Sequence, residues 1–155
     1  MLARPLVGLT TSELRDWKPG MEFPHAEAGR TEFVLGNGYM KAIAGEGGAP
    51  VVMPPLDPGM VPAFLAGMAG VCLSGGPDID PETYGEPGRS PKLGRTEPEI
   101  DRFEVAVVHE AVRLGMPILA ICRGAQALQE RAARQVSAGD DHWGATPGRI
   151  WNGTL

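Results

Sequence analysis

Cys122 stands where a thiol could act as a nucleophile. It follows the short apolar run Ile118 to Ile121, which comes straight after Pro117. Arg123-Gly124-Ala125-Gln126 follows it and can open a helix. Four apolar residues behind a proline suit a buried strand and are too few for a helix. A reactive side chain at a sharp strand-to-helix turn is a nucleophile elbow, which lifts the sulfur out of the sheet toward solvent. Small residues at Ala120 and Gly124 let strand and helix pass closely around it. The N-terminus of the next helix carries partial positive charge and favours a thiolate. A free cysteine also serves as a small core hydrophobe, and this stretch alone does not separate the two uses.

A thiolate that attacks an acyl carbon makes a tetrahedral oxyanion, and backbone N–H groups aimed at that oxygen supply much of the catalysis. At an elbow one donor is the N–H of the residue after the nucleophile, here Arg123. The second must come from a neighbouring strand end. Gly75-Gly76, after Val71-Cys72-Leu73-Ser74, can offer bare backbone there, with Gly76 the candidate donor. The same pair also suits an ordinary tight turn. Gly75 and Arg123 are the candidate substrate contacts. The Arg123 fork fits a carboxylate, but it fits solvent or an internal ion pair as well. Asp78 and Asp80 read as turn and cap residues rather than metal ligands, so no metal and no cofactor is expected.

The elements that would position these groups alternate. Pro5 to Thr10 reads as a first buried strand and Thr11 to Gly29 as a loop. Glu32 to Ala44 reads as a helix with Phe33, Met40 and Ile43 near one face, and Val51 to Met53 as a second strand. Asp57-Pro58 starts a short helix to Met68, with Met60, Phe64 and Leu65 inward. Val71 to Leu73 is a third strand, which makes Cys72 a core residue. Glu82 to Arg95 is polar, rich in Gly and Pro, and looped. Thr96-Glu97-Pro98-Glu99 matches a capping box. It opens a helix whose Ile100, Phe103, Val107, Ala111 and Leu114 recur on one face, with Gly115 as its stop. Strand and helix in strict alternation is the pattern of an α/β domain with a parallel sheet, and such sheets bind ligands off their carboxyl ends. Thr10-Thr11, Ser74-Gly75-Gly76 and Cys122 all fall there.

A chain of 155 residues, 43% hydrophobic and 21% charged, suits one domain with a single core. Its 22 glycines and 15 prolines fall mostly between apolar runs, as loop punctuation. A formal net charge of −5 argues against a nucleic-acid partner, and no apolar run approaches a membrane span. The N-terminus lacks the long apolar segment of a signal peptide. Two cysteines without one point to free thiols in a reducing compartment, the cytoplasm.

Together these residues resemble the class I glutamine amidotransferase superfamily, and within it the γ-glutamyl-γ-aminobutyrate hydrolase family. The matching segments are P-L-V-G-L-T from Pro5, Tyr39 with Gly48-Ala49-Pro50, and L-S-G-G-P-D-I-D-P-E-T-Y-G from Leu73. D-R-F-E from Asp101 and P-I-L-A-I-C-R-G-A-Q from Pro117 complete them. The resemblance implies a flavodoxin-like α/β fold and cleavage of the γ-glutamyl amide bond of a small molecule by a Cys-His-Glu triad. Cys122 would be the nucleophile, with the N–H groups of Gly76 and Arg123 as oxyanion donors. It covers residues 1 to about 128.

From Gln129 onward the family pattern stops. No His-x-Glu follows to supply the base and its acidic partner, and Trp143 and Trp151 crowd the last residues. Nothing in the sequence places His142, after two aspartates, near Cys122. His109 falls within a helix and His25 in a loop. The expectation is therefore a partial domain over 1–128, with the C-terminal part of the fold missing. A frameshifted or disordered tail over 129–155 would follow. Such a chain would be impaired in turnover, and its uncovered core could drive self-association. The alternative is a non-catalytic remnant or binding module of the same fold.

Overall fold

The computed structural model describes residues 3–16, 31–85 and 93–129. Readings that fall on the tail, on His142 and on His25 lie outside them. Four short strands make one parallel sheet: β1 (Leu6–Thr10), β4 (Ala49–Met53), β5 (Gly70–Leu73) and β6 (Ile118–Ala120), in the order β4-β1-β5-β6. β1 is central. It pairs from Leu6↔Ala49 to Thr10↔Met53 on one side and from Val7↔Gly70 to Leu9↔Cys72 on the other. β5 then pairs β6 at Val71↔Ile118 through Leu73↔Ala120. Each strand is a run of apolar residues that a parallel sheet can bury. The chain reverses its direction of travel across the sheet between β1 and β5, the kind of switch point where ligands bind in such folds. The parallel sheet flanked by helices is the α/β, flavodoxin-like architecture expected from the sequence.

One face is covered by α2 (Val61–Leu65) and α3 (Pro98–Arg113). Val61 and Leu65 of α2, and Phe103, Val107, Val108 and Ala111 of α3, join Met53, Val71, Leu73 and Ile79 in the core. Phe64 meets Phe103 edge-on, ring centroids 5.9 Å apart. α1 (Asn37–Gly45) packs against β4 without a fully buried residue.

Several expectations need correction. Glu13–Asp16 and Thr31–Val34 are strands β2 and β3 of an antiparallel hairpin, where a loop and the first turn of a helix were expected. Thr31 to Val34 alternates exposed and half-buried residues, a strand's period, and leaves Phe33 exposed. Gly36, in extended conformation, then starts α1. Pro58–Met60 is a 3-10 turn ahead of α2, with Asp57 accepting from the Gly59 N–H at 2.9 Å. The tighter turn shifts the helical phase, so Val61 and Leu65, four apart, point inward while Met60 is exposed. At α3 no capping box forms. Glu97 is the N-cap without a side-chain capping bond, and the Thr96 hydroxyl donates to Asp80 Oδ2 at 2.8 Å instead. Leu114 lies past the last turn of α3, where Gly115 takes a φ of 63°, and is exposed. β6 is half-exposed rather than buried, because it pairs on one side only among the described residues.

The core assignment makes a quantitative prediction. Phe103→Ala should cost about 3–5 kcal/mol, because it empties a fully buried site. Leu114→Ala should change stability by no more than about 0.5 kcal/mol. Urea unfolding followed by circular dichroism measures both.

Candidate active site

β6 ends at Ala120, and the chain turns at Cys122 into the helix over 123–129. The turn is tied to β5 by Ile121 N–H donating to the Leu73 carbonyl (3.1 Å) and Gly124 N–H to that of Ser74 (3.3 Å). Cys122 has φ 52°, the one non-glycine residue at positive φ among those described. A left-handed cysteine is strained by about 1–3 kcal/mol, and such outliers gather at functional sites. It is exposed, as an elbow requires. Gly124 packs the helix so tightly on β5 that a Cβ there would lie 2.4 Å from the Leu73 Cβ.

The loop after β5 meets the elbow. A Cβ on Gly75 would stand 3.4 Å from the Cys122 Cβ and 3.0 Å from the Tyr39 hydroxyl, which accepts the Gly75 N–H at 3.0 Å. Gly76 has no room for any side chain. A Cβ there would lie 2.2 Å from the Ser12 carbonyl oxygen and 2.8 Å from Arg123 Nη1. Cys122, Gly75, Gly76 and Arg123 are thus brought together at the carboxyl end of the sheet.

The Arg123 side chain is turned inward and fully buried. Of the alternatives the sequence left open, the structure has the internal ion pair. Nε donates to Glu104 Oε2 (3.1 Å) and Nη2 to Glu104 Oε1 (2.8 Å). Nη1 donates to the Ser12 carbonyl and Nη2 to that of Thr11, both at 3.1 Å. The Thr10 hydroxyl donates to Glu104 Oε1 (2.5 Å) and accepts the Ser74 N–H (3.0 Å). Burial raises the Glu104 carboxyl above its usual range, against the charge and hydrogen bonds of Arg123.

Asp78 and Asp80 do turn chemistry. Asp80 Oδ1 accepts the Glu82 N–H (3.1 Å) at the start of the Pro81–Tyr84 3-10 turn, and Asp78 bridges to Thr96 through backbone. The Asp80 N–H donates to Asp101 Oδ2 at 2.9 Å, while Asp101 Oδ1 is buried without a partner among the described residues. Burial pushes the Asp101 carboxyl up to about 6, despite the opposing Asp80 N–H and the Arg123 charge. Cys72 is in the core, and burial, with the Glu104 charge adding, pushes its thiol up to about 11. His109 lies in a surface groove between α2 and α3, with Pro58, Val61 and Arg102.

Sequence reasoning missed the parts played by Tyr39, Glu104, Thr10 and Asp101. A signal existed for two of them. Asp101 and Glu104 share the helix face carrying Ile100, Phe103 and Val107, where a carboxylate needs a buried partner.

A parallel four-stranded α/β sheet flanked by helices is the architecture of class I glutamine amidotransferase-like proteins. The family model described as Peptidase C26 matches residues 5–133, and the chain belongs to that family. Protein NtpR of Enterococcus hirae is 38% identical over 91 residues, 59% of this chain and 38% of its own length. The γ-glutamyl-γ-aminobutyrate hydrolase of Escherichia coli O157:H7 is 36% identical over 93 residues, 58% of this chain and 35% of its own. PuuD, the enzyme of that name from Escherichia coli K12, is 34% identical over the same share of each chain. The chain thus spans less than half the length of these curated relatives.

Two outcomes follow from the site. Brief treatment of folded protein with iodoacetamide should alkylate Cys122 well before Cys72, as peptide mapping reads. The one is exposed, and the other is buried with a raised thiol pKa. Faster labelling at Cys72 would contradict the elbow. For Asp101 the folded pKa exceeds the unfolded one, so between about 4 and about 6 the native state holds the extra proton. Its contribution to stability is therefore greatest at low pH and falls as pH rises through that window. Asp101→Asn should reduce the loss of stability between pH about 4 and about 7, measured by urea midpoints; Glu104 adds a slope of the same sign.

Proposed function

We propose that this chain uses Cys122 as the nucleophile of a hydrolase acting on γ-glutamyl amide bonds of small molecules, with the N–H groups of Gly76 and Arg123 holding the oxyanion. The observation that carries this reading is the exposed, left-handed Cys122 turn set beside Gly75-Gly76. The Arg123 N–H, at the first helical position, has no acceptor within its own helix. The Gly75 N–H is already taken by Tyr39, which favours Gly76 as the second donor. The names of the Escherichia coli relatives supply the substrate class.

The attack joins Sγ to the γ-carbonyl carbon, the tetrahedral intermediate expels the amine with a proton, and a γ-glutamyl thioester remains on Cys122. Water then adds to the thioester and releases glutamate. That second step needs an activated water, and from Gln129 onward the sequence holds no His-x-Glu to activate it. His109 lies in the α2–α3 groove rather than with Cys122. In this chain acylation therefore outruns deacylation. The wider reading is a cytoplasmic protein with the family frame over 1–128 and a separate tail over 129–155. Self-association would proceed through the half-exposed β6, whose Leu119 is open to solvent.

Incubation with an activated γ-glutamyl ester should add one glutamyl group, seen by intact-mass spectrometry, which persists after excess ester is removed. The adduct should be absent in Cys122→Ala. Sustained turnover of a γ-glutamyl amide would overturn the missing-base part of the proposal. Failure of Cys122 to acylate would favour a non-catalytic module of the same fold.

A further inference from the structure

We propose that Glu104 is a positioning residue for this chemistry: through the Arg123 side chain it fixes the spacing between the elbow and Gly76, and so between the two oxyanion donors. The inference rests on the reading of Cys122 as an acylating nucleophile. Three loops from three strand ends meet on one guanidinium. Arg123 belongs to the elbow after β6, the Thr11 and Ser12 carbonyls to the loop after β1, and Gly76, where a Cβ would lie 2.8 Å from Nη1, to the loop after β5. Glu104 grips that guanidinium along its Nε–Nη2 edge with both carboxylate oxygens, and Thr10 holds the carboxylate in turn. Arg123 and Glu104 are fully buried, so no water can substitute for a lost partner. One residue therefore carries the first donor on its backbone and props the glycine carrying the second with its side chain. Glu104 sets where that prop stands. It touches no reacting atom.

A positioning role and a merely structural one separate by comparing two reactions of the same sulfur. Acylation by an activated γ-glutamyl ester passes through an oxyanion and needs both donors in register. Alkylation by iodoacetamide is displacement at a saturated carbon and needs neither. In Glu104→Gln, acylation of Cys122 should fall on the order of a hundredfold, as expected for misplacement of about 1 Å. Its alkylation rate should stay as in the parent protein. Should that variant unfold, the double variant Glu104→Met with Arg123→Met replaces a buried pair by apolar side chains of similar length, an exchange that folds are known to tolerate. It should show the same split. An equal fall in both reactions would make the pair structural only and overturn the proposal, as would unchanged acylation in either folded variant. If the parent protein is alkylated at Cys122 but never acylated, the nucleophile reading itself fails, and the positioning role falls with it.

Discussion

A guanidinium taken wholly out of water loses several kcal/mol of hydration, and it is tolerated only where every side of it is met. Arg123 satisfies that condition with a carboxylate and two main-chain carbonyls. Few other residues could. Lys has no planar fork to reach a carboxylate and two carbonyls at once. The result constrains everything nearby. The loop after β1 must present its Thr11 and Ser12 carbonyls inward. Gly76 must lack a side chain, since a Cβ would strike the Ser12 oxygen. The elbow helix must begin where Arg123 can reach Glu104. With Arg123 anchored inside and Ile121 bonded to β5, the residue between them has little freedom left. The left-handed φ of Cys122 is the consequence, and its strain is offset by anchors on either side.

Much of the frame could be read from the sequence because its signals are local. β1, β4, β5 and β6 are short apolar runs between punctuating residues, and α3 carries its inward face at helical spacing. The hairpin of β2 and β3 could not be read this way. Glu13-Leu14-Arg15-Asp16 has neither an apolar run nor strong strand formers, and it becomes a strand only by pairing with Thr31–Val34. Met60 and Leu114 failed for a related reason. Periodicity assumes one uninterrupted helix, and a 3-10 turn or a helix stop breaks the phase at the ends.

The site divides along the same line. The elbow is a contiguous stretch, so its strand-to-helix turn was visible in ten residues. The direction of the Arg123 side chain was not, because its partners come from α3 and from the loop after β1. The need for glycine at 76 likewise arises from Ser12, far away in the chain. Tyr39 reaches the Gly75 N–H from α1, a contact no local pattern encodes. What the sequence did hold was an inconsistency: two acids on the buried face of α3. A buried acid in an otherwise apolar stripe calls for a buried partner, and the only missing step was naming it.

Those two acids also explain why one helix backs the whole site. Asp101 holds the Asp80 N–H, and Thr96, just ahead of the helix, holds the Asp80 carboxylate. Glu104, one turn further on, holds Arg123 and through it the ground under Gly76. The loop from Ser74 to Asp80 is therefore clamped at both ends by the first turns of α3, while Phe103 between them is locked into the core. The two clamps differ in character. Glu104 has both oxygens paired, and the charge and hydrogen bonds of Arg123 oppose the burial that raises its pKa. Asp101 has one oxygen paired and one without a partner among the described residues, and burial resists its charge. The Glu104 clamp stands beside Gly76, and the Asp101 clamp lies at the far end of the loop. On the proposed reading, the clamp nearer the elbow is the one that holds the backbone donors in register.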